Sequence, residues 1–261
     1  MRLGTADLLF LTIVIFTISL YWASFAPSAA WGGPPFITDD PEPVDYRHGE
    51  FYISSMYTNN RDGKEGTLPH FEFNYGAVPD VQLHILIPLA FVHPNGGPTM
   101  YGLGDTELGV KYRFIHENET TPQVGSFPLV HLPTGDSARG LGVGHVQLFF
   151  PVWAQKSLGP WTTYGGGGYW INPGGGNKNF WQLGWLWQRD ITKAITLGAE
   201  IFYFGKNMDN GRDQTGYNIG CIFNISEEHH ILLSAGSDIA GDNRFSDYLG
   251  YQWTFGPHEE K

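Results

Sequence analysis

The feature that most constrains this chain is a period-two alternation of apolar residues that recurs along most of its length. From Val81 to Leu89 every odd position is aliphatic, whereas the even positions are mixed. Side chains of a β-strand point alternately to opposite faces, so this pattern predicts a strand with one apolar face. Twelve such segments of about nine to eleven residues, the length with which a tilted strand crosses a bilayer, begin near Glu50, His70, Val81, Thr106, Pro122, His145, Trp161, Asn179, Ala194, Thr215, His229 and Ser246.

The opposite faces of these segments carry charged residues in mid-strand, where a soluble core would exclude them. A barrel lumen tolerates such residues. We therefore predict an all-β fold, a transmembrane antiparallel up-and-down β-barrel of about twelve strands. A soluble β-sandwich or lipocalin-like barrel also has alternating strands, but its interior would be apolar. The predicted apolar face is crowded with tryptophans, as in interfacial aromatic girdles, and these are Trp153, Trp181, Trp185 and Trp187.

The predicted connections alternate between long and short. Outer-membrane barrels have long loops outside and tight turns in the periplasm. The long connections are 58–68, 91–105, 131–144, 171–178, 205–214 and 236–245, and the short ones are 77–80, 116–121, 156–159, 190–192 and 226–228. This alternation predicts that both termini face the periplasm and that an even number of strands closes the sheet.

The N-terminus has the pattern of a secretory signal peptide. A basic residue precedes a short apolar run, and Ser28 and Ala30 are small residues suited to cleavage before Trp31. An uncleaved anchor is the alternative, because Asp7 weakens the positive region. The predicted organisation is a signal peptide at 1–30, a periplasmic or plug segment at 31–48, the barrel at 49–256 and a C-terminal tail at 257–261.

Net charge, cysteine count and hydropathy exclude several classes of protein. The formal charge of −11 excludes nucleic acid as a partner, because no basic surface is available to neutralise phosphates. Cys221 is the one cysteine, so no internal disulfide can form. The mature part contains no second long hydrophobic stretch, which excludes a helical membrane protein.

Several stretches resemble one known family. These are GPPFITDDPEPVDYRHGEFY from Gly33, GDTELGVKYRF from Gly104, FPLVHLPTGD from Phe127, GPWTTYGGGGYWINPG from Gly159 and YQWTFGP from Tyr251. They resemble the outer-membrane transporter family labelled for the meta-pathway of phenol degradation. The resemblance implies a barrel that admits aromatic or other hydrophobic compounds. Phe255 is followed by six further residues, so an aromatic insertion signal at that position would be internal.

The sequence predicts a transporter and not an enzyme. We expect an outer-membrane channel of a Gram-negative bacterium that passes small hydrophobic or aromatic compounds passively, without cofactor or metal. Expected partners are outer-membrane lipids and lipopolysaccharide, the hydrophobic solutes and the barrel insertion machinery. A lipid hydrolase based on Ser137 is an alternative, but no GxSxG elbow occurs. A structural or adhesive barrel is the third possibility.

Six residues are predicted to project into the barrel interior and are the candidates for a permeation lining. They are Glu72, His84, Glu107, Lys111, Arg113 and Glu200. They could equally form a salt-bridged plug, because small barrels are filled by side chains. Segment 31–48, which is rich in proline and acidic residues, could enter the lumen or extend in the periplasm. Its carboxylates could hold calcium, although the EF-hand spacing is absent.

Overall fold

Fourteen β-strands form one antiparallel sheet that closes on itself in the computed structural model, which describes residues 33–257. The predicted signal peptide, its cleavage site and residues 258–261 of the predicted tail lie outside the described residues. The strands are β1 Gly49–Asn59, β2 Gly63–Val78, β3 Val81–Pro94, β4 Met100–Leu103, β5 Thr106–Ile115, β6 Gln123–Ser126, β7 Leu129–Leu132, β8 Gln147–Leu158, β9 Trp161–Ile171, β10 Phe180–Thr192, β11 Ile195–Phe204, β12 Gln214–Asn224, β13 His229–Ala240 and β14 Phe245–Phe255.

These fourteen strands make a barrel wall of twelve, because two wall strands are interrupted. Strands β4 and β5 both pair with β3, at successive positions along it. Strands β6 and β7 likewise both pair with β5 on one side and with β8 on the other. The ends of the chain close the barrel, since β1 pairs with β14 without a register shift from Gly49↔Phe255 to Asn59↔Phe245. The predicted twelve-stranded up-and-down barrel is confirmed.

The barrel has a polar interior and an apolar exterior. On β2, Glu72 and Asn74 are buried, whereas Phe71, Phe73 and Tyr75 are exposed. This arrangement is the reverse of a soluble β-sandwich, whose strands bury the apolar face. The exposed residues belong to a surface that is stable in contact with lipid, and the buried ones belong to a lumen.

The tryptophans divide between the two faces. Trp181, Trp185 and Trp187 are about half exposed on the outer surface, as predicted. The prediction for Trp153 was wrong, because this side chain is 1% exposed and points into the lumen. Strand β8 is apolar on both faces, with Phe150 and Val152 outside. Hydropathy alone therefore does not predict which face of β8 points into the lumen.

The connections follow the predicted alternation of long and short with two differences, because the predicted long connections 236–245 and 58–68 are both short turns. Strand β13 runs to Ala240 and β14 begins at Phe245, so the first of these is the four-residue turn 241–244. The turns on the side of both termini are tight, including 79–80, 159–160 and 193–194. On the other side, the predicted long connection 58–68 is a three-residue turn, because β1 and β2 remain paired up to Asn59↔Lys64. The end of the β1–β2 hairpin is polar on both faces. Its sequence therefore lacks the alternation of apolar and polar residues that predicts a membrane strand. A 3-10 turn, Ser137–Arg139, lies in the connection between β7 and β8.

The residues described by the model include no helix long and apolar enough to span a bilayer.

Candidate functional site: the barrel lumen

The N-terminal segment, residues 33–48, runs inside the barrel. The carboxylate of Glu200 on β11 accepts a hydrogen bond from the backbone N–H of Ile37 at 2.8 Å and another from that of Thr38 at 2.7 Å. The side chain of Asn218 on β12 donates to the same carboxylate at 2.6 Å. Glu200 is 4% exposed. These three donors replace the hydrogen bonds to water that the carboxylate loses on burial, and they thereby stabilise it in the lumen.

The rest of the N-terminal segment is bound to the opposite wall of the lumen. Lys111 Nζ on β5 lies 2.9 Å from Asp39 Oδ1 and 3.4 Å from Asp40 Oδ1. Glu42 Oε2 accepts hydrogen bonds from Gln123 Nε2 and Gln155 Nε2, both at 3.0 Å. The segment then reaches the edge of the barrel that carries both termini, where the backbone N–H of Arg47 donates to the carbonyl of Gly76 at 2.8 Å.

Glycines of the wall leave the space that the N-terminal segment occupies. Gly198 and Gly220 form a cross-strand pair on β11 and β12. A Cβ at either position would lie within 2.7 Å of the ring of Phe36. On β10, a Cβ at Gly184 would lie 2.2 Å from Thr38 Oγ1. The absence of side chains at these positions is therefore what allows the segment to pack against the wall.

Three of the predicted lumen residues form one buried cluster. His84 Nε2 lies 2.9 Å from Glu107 Oε1, and His131 Nε2 lies 2.5 Å from Glu107 Oε2. On the other side of the ring, His84 Nδ1 lies 2.7 Å from Asn74 Oδ1 and 3.6 Å from Glu72 Oε1. Sequence analysis did not identify His131, which is separated from Glu107 in the chain but lies opposite it in the β5–β7 register.

The other three predicted residues lie at separate places. Glu200 and Lys111 bind the N-terminal segment, as described above. Arg113 lies at the end of the barrel that carries both termini, where its Nε and Nη2 donate to Asp80 Oδ1 at 3.0 and 2.8 Å. Partial burial raises the pKa of Asp80, but hydrogen bonds and charges from Arg113 and His116 outweigh it, so the pKa lies below its ordinary 3.8. The structure does not test whether any of the six lines a permeation route, which stays a prediction.

A cluster of aromatic side chains from the adjacent strands β8 to β11 lies inside the lumen, toward the side of the long connections. We call it the aromatic layer. Trp170 is stacked between Phe149 and Phe180, with ring centroids 4.6 and 5.8 Å apart. All members of the layer are at most 6% exposed, and they are Phe149, Trp153, Trp170, Phe180, Phe202 and Phe204.

The sequence contained a weak signal for the aromatic layer. Phe202 shares a strand face with Gly198 and Glu200, so the period of two placed one phenylalanine in the lumen. Phe149 and Trp153 gave no such signal, because both faces of β8 are apolar. The stacking of Trp170 on rings from two neighbouring strands follows from the register, which the sequence alone does not specify.

Two cavities of the lumen are lined by members of the aromatic layer or by residues packed against it. The outer vestibule, of about 700 Å³, includes Trp170, Phe180 and Phe204 among its lining and lies on the side of the long connections. The inner chamber, of about 480 Å³, is lined by the N-terminal segment and by β1, β2 and β3, among other strands. Phe127 and Ile37 pack against the aromatic layer and also line the inner chamber. The aromatic layer and the two residues packed against it therefore contribute to the walls of both cavities.

Ser137 is placed in the exposed 3-10 turn. Its neighbour Asp136 caps the turn by accepting a hydrogen bond from the backbone N–H of Ala138. This is the turn chemistry expected of the loop, and no histidine is hydrogen-bonded to Ser137 in the described part of the chain. The surroundings of Ser137 therefore do not support a hydrolase mechanism.

Comparison with known proteins identifies the fold. No family model and no curated protein sequence matches the chain. The KdgM porin superimposes with a TM-score of 0.56 at 9% identity over 78% of this chain and 99% of the porin, and it has also been solved in complex with disordered oligogalacturonate. The NanC porin gives a TM-score of 0.56 at 8% identity, covering 78% of this chain and 98% of that one. The translocator domain of the autotransporter NalP from Neisseria meningitidis gives 0.53 at 10% identity, covering 80% and 90%.

The chain has the fold of a bacterial outer-membrane β-barrel. This fold agrees with the apolar exterior and with the alternation of long and short connections. The resemblance to the phenol meta-pathway family is not confirmed, because no family model matches the chain and similarity to solved structures at 8–10% identity shows the fold alone.

Proposed function

We propose that this outer-membrane barrel is a channel that passes small hydrophobic or aromatic compounds passively. The observation that carries the proposal is the aromatic layer, which lines the outer vestibule and packs against two residues of the inner chamber, Phe127 and Ile37. A solute with an apolar ring can replace the contacts that these side chains make with one another. A hydrated sugar, which has no apolar ring, cannot do so without losing water.

The filling of the lumen supports a selective channel over an open pore. The N-terminal segment and the aromatic layer together occupy the interior that a wide porin leaves to water. The contacts of the segment are hydrogen bonds and ion pairs with side chains of the wall. These polar contacts can be exchanged for contacts with water or solute, whereas the backbone hydrogen bonds between the wall strands remain in place. Passage in this proposal therefore involves local displacement of the segment and of the aromatic rings.

The test is uptake by liposomes that contain the purified barrel. The probes are radiolabelled phenylalanine and glucose, which are similar in mass and cross a lipid bilayer slowly without a carrier. We expect phenylalanine to enter faster than glucose and faster than into empty liposomes. Equal rates for both probes would contradict aromatic selectivity, and rates equal to those of empty liposomes would contradict a channel.

A further inference from the structure

Two carboxylates on neighbouring strands face the inner chamber beside the same tyrosine. In the β1–β2 register, Glu50 lies opposite Asn74 and Tyr52 lies opposite Glu72. All four side chains line the inner chamber. Glu50 and Glu72 are thus diagonal neighbours on one face of the sheet, a spacing that lets both carboxylates contact one ligand group.

Within the described residues, neither of these carboxylates accepts a hydrogen bond from a lysine, arginine or histidine. Glu72 is 5% exposed, and its Oε1 accepts a hydrogen bond from Asn74 Nδ2 at 2.8 Å. Glu72 Oε2 makes no hydrogen bond within the described residues. Glu50 Oε2 accepts a hydrogen bond from the hydroxyl of Tyr52 at 2.7 Å. Neutral groups therefore provide the hydrogen bonds to both carboxylates.

The cations near the chamber are already bound to other acids. Lys111 is the only lysine or arginine among the described residues that line the chamber, and it contacts Asp39 and Asp40. His84 lies closest to Glu107, at 2.9 Å, and is 3.6 Å from Glu72. The part of the chamber around Glu50 and Glu72 therefore contains more acidic than basic side chains.

An apolar wall stands next to these carboxylates. Tyr52, Leu232 and Tyr248 form a buried cluster, and Met56 and Ile222 pack against it. All five side chains line the inner chamber. The chamber, of about 480 Å³, thus contains two carboxylates whose hydrogen-bond donors are neutral groups. Next to them lie an apolar surface and two aromatic rings.

We infer that the inner chamber binds small amphipathic organic cations, with the ammonium group at Glu50 and Glu72 and the apolar body against the cluster around Leu232. An ammonium donates hydrogen bonds to both carboxylates and supplies the charge that buried carboxylates require. The rings of Tyr52 and Tyr248 also attract a cation. An aromatic carboxylate is repelled at the same place. The inference rests on the proposed channel, to which it adds a ligand class.

The test is equilibrium binding by calorimetry to the whole barrel in lipid nanodiscs, with empty nanodiscs as the blank. The ligands are benzylammonium, benzyl alcohol and benzoate, which share a ring and differ in charge. We expect saturable binding of benzylammonium, tighter than that of benzyl alcohol by at least about tenfold, and no binding of benzoate. Equal affinity for benzylammonium and benzyl alcohol, or binding of benzoate, would overturn the inference.

Two variants locate the site. Glu72→Gln is expected to weaken benzylammonium binding by about tenfold or more. Glu65→Gln is the control, because Glu65 is also buried on β2 but lines the outer vestibule, and it is expected to leave binding unchanged. If Glu72→Gln does not fold, Glu50→Gln takes its place. A weakening by both Glu65→Gln and Glu72→Gln, or by neither, would exclude the assigned position.

The binding measurement is independent of flux. If phenylalanine enters liposomes selectively but benzylammonium does not bind, the channel proposal stands and this inference fails. If benzylammonium binds at Glu72 but neither phenylalanine nor glucose enters, the inferred site stands and the channel proposal fails.

Discussion

The carboxylate of Glu200 on β11 accepts a hydrogen bond from the backbone amide of Thr38 at 2.7 Å, across 162 residues of sequence. The same carboxylate accepts from the amide of Ile37. One buried wall residue thus fixes two consecutive peptides of the N-terminal segment inside the lumen. Removing this acceptor should change the permeability of the barrel without changing the wall.

Glu200→Gln is expected to raise the mean ionic conductance of the barrel. A Gln amide has one oxygen acceptor, so one of the two backbone amides loses its partner. Hydrogen bonds to a charged group contribute about 1.5–3 kcal/mol each, so the segment should leave the wall more often. Single-channel recording in planar bilayers measures the effect. Glu117→Gln serves as control, because the carboxylate of Glu117, in the turn between β5 and β6, is hydrogen-bonded to Lys156 and Ser157 and not to the segment. An unchanged conductance in Glu200→Gln would refute the role assigned to Glu200.

A bulky residue at Gly198 is expected to expel the N-terminal segment by steric overlap. A Cβ at Gly198 would lie 2.6 Å from the ring of Phe36, and overpacking of this kind costs about 1–3 kcal/mol. Gly198→Leu should therefore increase proteolysis within the segment in the folded barrel. Gly175→Leu is the control, because no atom lies within 4 Å of a Cβ at Gly175. Equal protection of the segment in both variants would show that Phe36 does not depend on this space.

Asp80→Asn is expected to lower the thermal stability of the barrel at pH 7. Because the pKa of Asp80 in the folded state lies below 3.8, its ionised form stabilises the fold above that value. The stabilisation is lost as the pH falls through the lower folded pKa. Asn also tolerates the left-handed backbone of this position, where φ is 63°. The melting temperatures of the two proteins in detergent should converge below about pH 3.8, and a difference that persists at low pH would contradict the assignment.

The alternation of residues was sufficient to predict the barrel wall but not its contents. The aliphatic face of β3 was visible in the sequence, and so was the charged face of β5 that holds Glu107 and Lys111. Each of these strands has one face that is more polar than the other. Glu72, Glu107 and Glu200 could be placed on inward faces for the same reason. Their individual partners depend on register and on which wall segments converge in the lumen.

The N-terminal segment could not be placed from the sequence because it has no periodic pattern. Its position depends on backbone amides that reach Glu200 and on glycines such as Gly198 and Gly220, which are distant in the chain. The lumen position of Trp153 was missed for a related reason. Strand β8, which carries Trp153, is apolar on both faces. The sequence therefore does not distinguish residues that face lipid from residues that pack in the aromatic layer.

The most direct test of the central claim compares two tryptophans on opposite sides of the wall. Trp170 belongs to the aromatic layer, whereas Trp181, on the neighbouring strand, is 55% exposed on the outer surface. The measurement is the ratio of phenylalanine to glucose uptake in liposomes for Trp170→Leu and Trp181→Leu. Since an aromatic contact contributes about 0.5–1.5 kcal/mol beyond its area, Trp170→Leu should lower the ratio by about 2- to 12-fold, and Trp181→Leu should leave it unchanged. An unchanged ratio in Trp170→Leu would contradict selection by the aromatic layer.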